Sequence, residues 1–301
     1  MKVFVTGING QVGYEVSNIL AGRGHTVCGS GRSEQYRGLV LDARVNYVPL
    51  DITDRSAVDE VIRAYCPDAV IHCAAWTAVD AAESTENLPA VRAVNVTGTE
   101  NLARASRACG ARMLYLSTDY VFDGTGTEPW KADDRNYAPL NAYGQSKLDG
   151  ELALTNTLEK FFVVRTAWVF GANGNNFVKT MLRVGKTHEQ VRVVCDQVGT
   201  PTYARDLARL LADMIETEKY GYYHATNEGG FVSWYDFCRE IYRQGGLSTE
   251  VIPVTTEEYG LSAAARPYNS RLDKSKLTEN GFQPLPVWQD ALARYLKEIG
   301  E

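Results

Sequence analysis

Tyr143 and Lys147 stand four residues apart in Asn141-Ala142-Tyr143-Gly144-Gln145-Ser146-Lys147. On a helix this spacing puts both side chains on one face, with an ammonium beside a phenol. A free phenol titrates near ~10 and is a poor proton source or sink at neutral pH. A neighbouring cation favours the phenolate and brings the group toward the working range. Such pairs are common on solvated surfaces, so this one gains meaning from its company. Thr118, in Leu116-Ser117-Thr118-Asp119, lies 25 residues upstream of Tyr143, and a glycine-rich turn opens the chain. The three features together point to hydride transfer.

The glycine turn follows a short apolar strand, Lys2-Val3-Phe4-Val5-Thr6, and reads Gly7-Ile8-Asn9-Gly10-Gln11-Val12-Gly13. Val16, Ile19 and Leu20 then recur at helical spacing. Between a strand and a helix, these residues form the expected dinucleotide loop. Gly7 permits the tight turn, Gly10 lets backbone N–H groups approach a pyrophosphate, and Gly13 lets the helix pack close. Cofactor choice rests on the end of the second strand, where an acid would bind a ribose 2′-hydroxyl. The chain has Cys28-Gly29-Ser30-Gly31-Arg32-Ser33 there, with no acid before Glu34. Arg32 and Ser30 suit a 2′-phosphate, since guanidinium matches phosphate geometry. NADPH is therefore the expected cofactor, with NADH as the second candidate.

These residues need a frame. Strand candidates at Lys2–Thr6, His25–Gly29, Asn46–Pro49, Ala69–His72, Met113–Ser117 and Phe161–Thr166 alternate with helical patterns at Val12–Arg23, Arg55–Tyr65, Leu88–Cys109 and Tyr143–Thr157. The alternation predicts an α/β fold, a Rossmann-type doubly wound parallel sheet with right-handed crossovers. Ligands of such sheets bind outside the carboxyl ends of the strands. That rule gathers Gly10, Asp51, Ala74, Ala75, Thr118 and the start of the Tyr143 helix around one crevice. The sequence divides at about residue 168: residues 1–167 read as a dinucleotide-binding domain. Residues 168–301 read mainly as a smaller substrate-binding lobe, some of whose segments return to the first domain. Its patterns include helices at Phe177–Gly185, Tyr203–Glu216, Trp234–Arg243 and Val287–Glu298, with short strands near Gly221–Ala225 and Val251–Val254.

The 301 residues are 45% hydrophobic and 23% charged, ordinary values for a water-soluble protein. A net charge of −6 without Lys/Arg runs argues against nucleic-acid binding. No apolar stretch is long enough to span a membrane. The chain opens directly on a strand, without the features of a secretory signal, and its six cysteines are scattered without a Cys-x-x-Cys. A cytoplasmic protein with reduced thiols is expected. The four histidines are equally dispersed, so no zinc site is expected, and His72 reads as a satisfied core residue.

Several longer segments add to this reading. They are Gly10-Gln11-Val12-Gly13, Leu50-Asp51-Ile52-Thr53-Asp54, Cys73-Ala74-Ala75-Trp76-Thr77-Ala78-Val79-Asp80 and Ser117-Thr118-Asp119-Tyr120-Val121-Phe122-Asp123-Gly124. Arg165-Thr166-Ala167-Trp168-Val169-Phe170-Gly171, Asp196-Gln197-Val198-Gly199-Thr200-Pro201-Thr202 and Asn269-Ser270-Arg271-Leu272 follow. Nearly the whole chain resembles the extended short-chain dehydrogenases/reductases and, within them, the dTDP-4-dehydrorhamnose reductase family. The resemblance implies reduction of a dTDP-4-keto sugar, with Tyr143 giving a proton to the C4 oxygen and Thr118 hydrogen-bonding it. Lys147 would lower the phenol pKa and hold the nicotinamide ribose. Asp51 and Ile52 would touch the adenine, and Ala74, Ala75 and Thr77 would let the cofactor pass close over the fourth strand. Asp119 and Trp168 would meet the sugar, while Asn176, Gln197 and Arg271 are further candidates for nucleotide contacts.

Each of these has a plainer reading. Thr118 or Asp119 suits a cap, Trp168 the core, and Asn95 either a polar core residue or a backbone clamp that shapes the site. Tyr120 stands where sugar 4,6-dehydratases of the superfamily carry a glutamate, so dehydration is not expected. Two alternatives stay open: another nucleotide-sugar 4-ketoreductase or epimerase, and a non-catalytic cofactor-binding regulatory subunit of the kind that binds methionine adenosyltransferase. The partner expected is a nucleotide sugar, and the protein a monomer or homodimer. Some members of the family are magnesium-linked dimers. Glu15 and Glu189 are weak candidates for such a role, and no metal site is assigned.

Overall fold

A computed structural model describes residues 1–301. Its centre is a seven-stranded parallel sheet. Six strands come in chain order: β1 (Lys2–Thr6), β2 (Thr26–Gly31), β3 (Val45–Pro49), β4 (Ala69–His72), β5 (Arg112–Thr118) and β6 (Phe161–Thr166). The seventh, Gly221–His224, pairs with β6 at the edge, giving the spatial order Gly221–His224, β6, β5, β4, β1, β2, β3. Strands buried on both faces need apolar residues throughout. Accordingly Ala69, Val70, Ile71 and His72 are all buried, as are Val3, Phe4 and Val5. The order reverses between β1 and β4, where register brings Thr6 opposite His72. A sheet wound this way opens its ligand crevice at that point.

Helix α1 (Gln11–Gly22) follows the glycine turn, and α2 (Arg55–Tyr65) starts from Asp54, whose side chain accepts from Ala57 N. The helix expected over Leu88–Cys109 is interrupted. Leu88–Arg92 and Gly98–Cys109 are α-helical, with a π-helical turn, Ala93–Thr97, between them. Single π-turns are recurrent at functional sites. Here the turn presents Asn95, whose Oδ1 accepts from Trp76 N at 2.8 Å and whose Nδ2 donates to Ser146 Oγ at 2.8 Å. Asn95 thus ties the loop after β4 to the Tyr143 helix, Ala142–Thr155. Asn95 is both a buried polar residue and a backbone clamp.

Two later segments join the sheet layer. Helix Ala204–Ile215 packs on α1, sharing one buried cluster of Val12, Val16 and Leu20 with Leu207, Leu211 and Met214. Strand Gly221–His224 is one of the later segments that return to the main sheet, where its tyrosines pack beside Phe161 and Phe162. The remaining C-terminal segments gather around Phe170, Phe237, Trp288 and Tyr295, where strand Gln190–Val194 pairs with Glu250–Val254. No helix is long and apolar enough to cross a membrane.

Candidate active site

One cavity of about 820 Å³ runs along the carboxyl ends of β1, β2, β4, β5 and β6. Gly7, Asn9, Gly10, Gln11, Val12 and Gly13 line one end, followed by Arg32, Asp51, Ile52, Ala74, Ala75 and Thr77. Thr118, Asp119, Tyr143, Lys147 and Trp168 line the other. Residues far apart in the chain are therefore brought to a single wall.

The glycine end has the shape a dinucleotide requires. Gly7 has φ +72, and a Cβ there would lie 2.6 Å from Ala74 N. A Cβ on Gly13 would lie 2.3 Å from Gly7 O, so only glycine lets α1 start this close to the turn. No side chain caps α1 at Gly10. Its first N–H groups, with the positive end of the helix dipole, are left for an anion. Ser30 Oγ is buried without a partner on the same wall, and exposed Arg32 stands beside it. The residues fit a phosphate-bearing dinucleotide. Asp51 Oδ1 accepts from Thr53 N (2.9 Å) and Thr53 Oγ1 (2.8 Å), which fixes its carboxylate at the rim.

At the other end, Asn141 caps the Tyr143 helix by accepting from Gly144 N at 2.8 Å. The first turn of that helix therefore carries Tyr143 to the end of β5. Thr118 donates to Asp119 Oδ1 at 3.0 Å and accepts from Tyr120 N at 3.3 Å. It caps the short turn Asp119–Val121 while its hydroxyl lines the cavity. The cap uses the hydroxyl as an acceptor, and its one proton, turned to Asp119 here, is what a ligand oxygen would take.

Burial, and then the nearby Asp119 charge, push the Tyr143 phenol well above its ordinary range, with Thr118 pulling the other way. Lys147 behaves differently from the expectation that it would draw the phenol down. Its Nζ donates to Leu116 O at 2.8 Å and lies 4.0 Å over the Tyr115 ring. Burial draws this ammonium down to about 7, opposed first by Glu151 and then by Cys73. Burial also raises Asp119 to about 6, and its Oδ2 has no partner. His72 is closed off as expected: Nδ1 meets Thr6 Oγ1 at 2.7 Å and Nε2 meets Thr99 Oγ1 at 3.1 Å.

Trp168 has φ +53, a left-handed conformation that costs a bulky residue on the order of 1–3 kcal/mol. What holds it is a stack on Trp234, with centroids 3.7 Å apart and planes 16° apart. Gly199 leaves the ring room, since a Cβ there would sit 3.0 Å from Trp168. Trp234 also lines the cavity and was not foreseen. It begins a helix behind the capping pair Ser233 and Asp236, and nothing in that signal connects it to Trp168.

Three expected contacts do not reach the cavity wall. Asn176 caps helix Phe177–Gly185, accepting from Lys179 N and donating to Gly171 O at 2.9 Å and Gln11 Oε1 at 3.1 Å. Its neighbour Asn175 lines the cavity instead. Gln197 is buried and donates to Thr256 Oγ1 at 3.0 Å. Arg271 donates to Asn269 Oδ1 at 3.0 Å and faces the Phe231 ring. As for metal, no group of three or more His, Cys, Asp or Glu side chains gathers anywhere. Glu15 lies buried with Glu298, Arg205 and Arg209 around it, whereas Glu189 is exposed.

Fold and site together define an NAD(P)H-dependent oxidoreductase of the short-chain dehydrogenase/reductase type. Within that class the chain belongs to the RmlD substrate binding domain family, whose model matches residues 1–300. It is 37% identical over 297 residues to the spore coat polysaccharide biosynthesis protein SpsK of Bacillus subtilis, covering 99% of this chain and 97% of that protein. It is 40% identical over 294 residues to dTDP-4-dehydrorhamnose reductase of Streptomyces griseus, covering 96% of this chain and 90% of the relative. Among solved structures, dTDP-4-dehydrorhamnose reductase of Bacillus anthracis in complex with NADP matches with a TM-score of 0.88 and 39% identity, covering 99% of each chain.

Proposed function

We propose that this protein reduces the C4 ketone of dTDP-4-dehydro-L-rhamnose to dTDP-L-rhamnose with NADPH. The observation that carries the reading is the meeting of Thr118, Tyr143 and Lys147 at one end of a cavity whose other end is the glycine turn. When bound, NADPH supplies the hydride. Gly7, Asn9, Gly10, Gln11, Val12 and Gly13 hold its pyrophosphate through backbone N–H groups, Asp51 and Ile52 flank the adenine, and Ala74, Ala75 and Thr77 make a low floor. Arg32 and Ser30 pair with the 2′-phosphate, a preference supported by the missing acid and the unpartnered Ser30 hydroxyl.

Tyr143 donates its proton to the C4 oxygen. The phenol carries its proton at neutral pH, as a donor must, although its raised pKa makes it a weaker acid than a free phenol. Thr118 hydrogen-bonds the same oxygen and steadies the developing alkoxide. Lys147, from one turn further along, holds the nicotinamide ribose. Asp119 and Trp168 face the sugar, with Trp234 behind Trp168. Burial raises Tyr120 well above its ordinary range, so it offers no base for eliminating water. Residues 168–301 supply most of the lobe that closes over the sugar. All six cysteines are free thiols, which agrees with a cytoplasmic location.

The test is direct. Purified protein given the dTDP-4-keto sugar and NADPH should consume cofactor and form the 4-hydroxy product. Cofactor binding without turnover would leave the regulatory-subunit reading in its place.

A further inference from the structure

Tyr143, Lys147 and Glu151 recur every fourth residue and form one stripe along the helix Ala142–Thr155. The first two reach the cavity. Glu151 lies behind them, fully buried and off the cavity wall. Opposite the stripe runs the end of β5, Leu116-Ser117-Thr118. The facing groups meet in rungs. Thr118 and Tyr143 share the cavity wall, Lys147 Nζ donates to Leu116 O at 2.8 Å, and Ser117 Oγ donates to Glu151 Oε1 at 2.5 Å. Arg165 on β6 closes the far end in a two-pronged pair, Nε to Oε1 at 2.9 Å and Nη2 to Oε2 at 2.7 Å. Both side chains are 0% exposed. Arg165 is in turn fixed by Tyr137 Oη at 2.7 Å and lies about 5 Å from the ring centres of Phe122, Tyr137 and Tyr222.

A buried pair of this kind is often no more stabilising than apolar residues of the same volume. Its position gives it another use. The Glu151 carboxylate accepts three hydrogen bonds, two of them from the Arg165 guanidinium. Water is excluded from Lys147 and Glu151 alike, so the carboxylate one turn behind the ammonium is offset by Arg165 rather than screened by solvent. We propose that Glu151, locked by Arg165 and Ser117, is a positioning residue that keeps Lys147 cationic and keeps the Tyr143 helix in register with Thr118. The proposal rests on the reductase reading above. It extends the working face of the helix one turn beyond the cavity, to a residue that touches neither sugar nor cofactor.

The groups facing Lys147 are few. Glu151 and Tyr143 come from its own helix, Cys73 from the loop after β4, His72 from β4 and Tyr115 from β5. His72 is lowered by burial to about 3 and is neutral, and burial raises Cys73 and Tyr115, which stay protonated. Glu151 is the one carboxylate among them. Removing its charge lowers the Lys147 pKa further, so the amine loses its proton at a lower pH. Activity that needs the cation is then lost at neutral pH and recovered on acidification.

The experiment reads the amine itself as well as turnover. Protein labelled with ¹³C at lysine Cε is titrated, and the Lys147 resonance is assigned by its loss in Lys147→Met. Glu151→Gln should move the Lys147 midpoint down by about one pH unit or more, with the high-pH limb of kcat/KM following it. Because Glu151→Gln strands the Arg165 charge, a second variant, Glu151→Gln with Arg165→Met, removes both charges and is expected to fold. It should shift the midpoint in the same direction by a smaller amount. An unmoved midpoint in the folded variants, or a loss of activity equal at every pH, would overturn the proposal. The titration does not depend on which sugar is reduced, so failure of the substrate assignment leaves its outcome legible.

Discussion

At the glycine-turn end, the cavity wall is backbone and small side chains: Gly7, Gly10, Gly13, Ala74 and Ala75. At the Trp168 end it is large side chains from separate segments, with Trp168 stacked on Trp234 across 66 residues of chain and forced into a left-handed backbone. The first end accepts its ligand by leaving space and exposing N–H groups. The second accepts its ligand through rings and ionisable groups that other residues hold in place. A wall of missing atoms tolerates no additions, whereas a wall of supported side chains depends on its supports. The two ends should therefore fail in different ways when altered.

The largest effect belongs to the supported end. Tyr143→Phe removes one oxygen, so the fold should persist while kcat falls by a factor on the order of 10² or more, the scale of a lost general acid. Turnover close to that of the unmodified protein would take Tyr143 out of the chemistry. At the glycine end the contrasting change adds an atom. Gly13→Ala places a Cβ 2.3 Å from Gly7 O, so the turn must shift. Displacement of this kind should cost roughly 10-fold to 10²-fold in kcat/KM, expressed mainly through weaker NADPH binding. Calorimetric titration that found normal NADPH affinity would show that the cradle has slack.

Arg32 tests the same end through charge. Arg32→Ala should raise the KM for NADPH about tenfold, the scale of one charge-assisted contact, and leave NADH little altered. The difference should shrink with added salt because Arg32 is exposed. An equal change for both cofactors would mean that Arg32 does not read the 2′ position.

The smallest effect separates a support from a contact. Asn176→Ala should lower stability by about 1 kcal/mol, as for a lost helix cap, in urea unfolding, with KM for the sugar nucleotide unchanged. A raised KM with unaltered stability would return Asn176 to the substrate wall.

Local chemistry made the glycine end legible in advance. A strand, a glycine spacing and a helix lie within about twenty residues, and the turn they form depends on little else. Tyr143, Lys147 and Thr118 were legible for a similar reason, since a four-residue helical step and a strand end are local facts. The strand and helix alternation likewise placed all seven sheet strands to within a few residues. The seventh, Gly221–His224, has too few residues to declare its sheet, and packing against β6 decided it.

What tertiary structure alone decided is where long side chains end up. Lys147 was expected to lower the phenol of Tyr143, because adjacency on a helix was all the sequence showed. The fold instead offers its ammonium a carbonyl and an aromatic face, with Glu151 behind. Asn176 stands beside Asn175 in sequence, yet one becomes a cap and the other a wall residue, because the helix that starts at Phe177 draws Asn176 to its first-turn N–H groups. Trp234 and the Glu151–Arg165 pair left no local trace at all, since their partners come from distant segments. Spacing along the chain fixes which backbone groups can turn or pair. Which charges lose water, and which neighbours replace it, is settled only when the strands and helices close on one another.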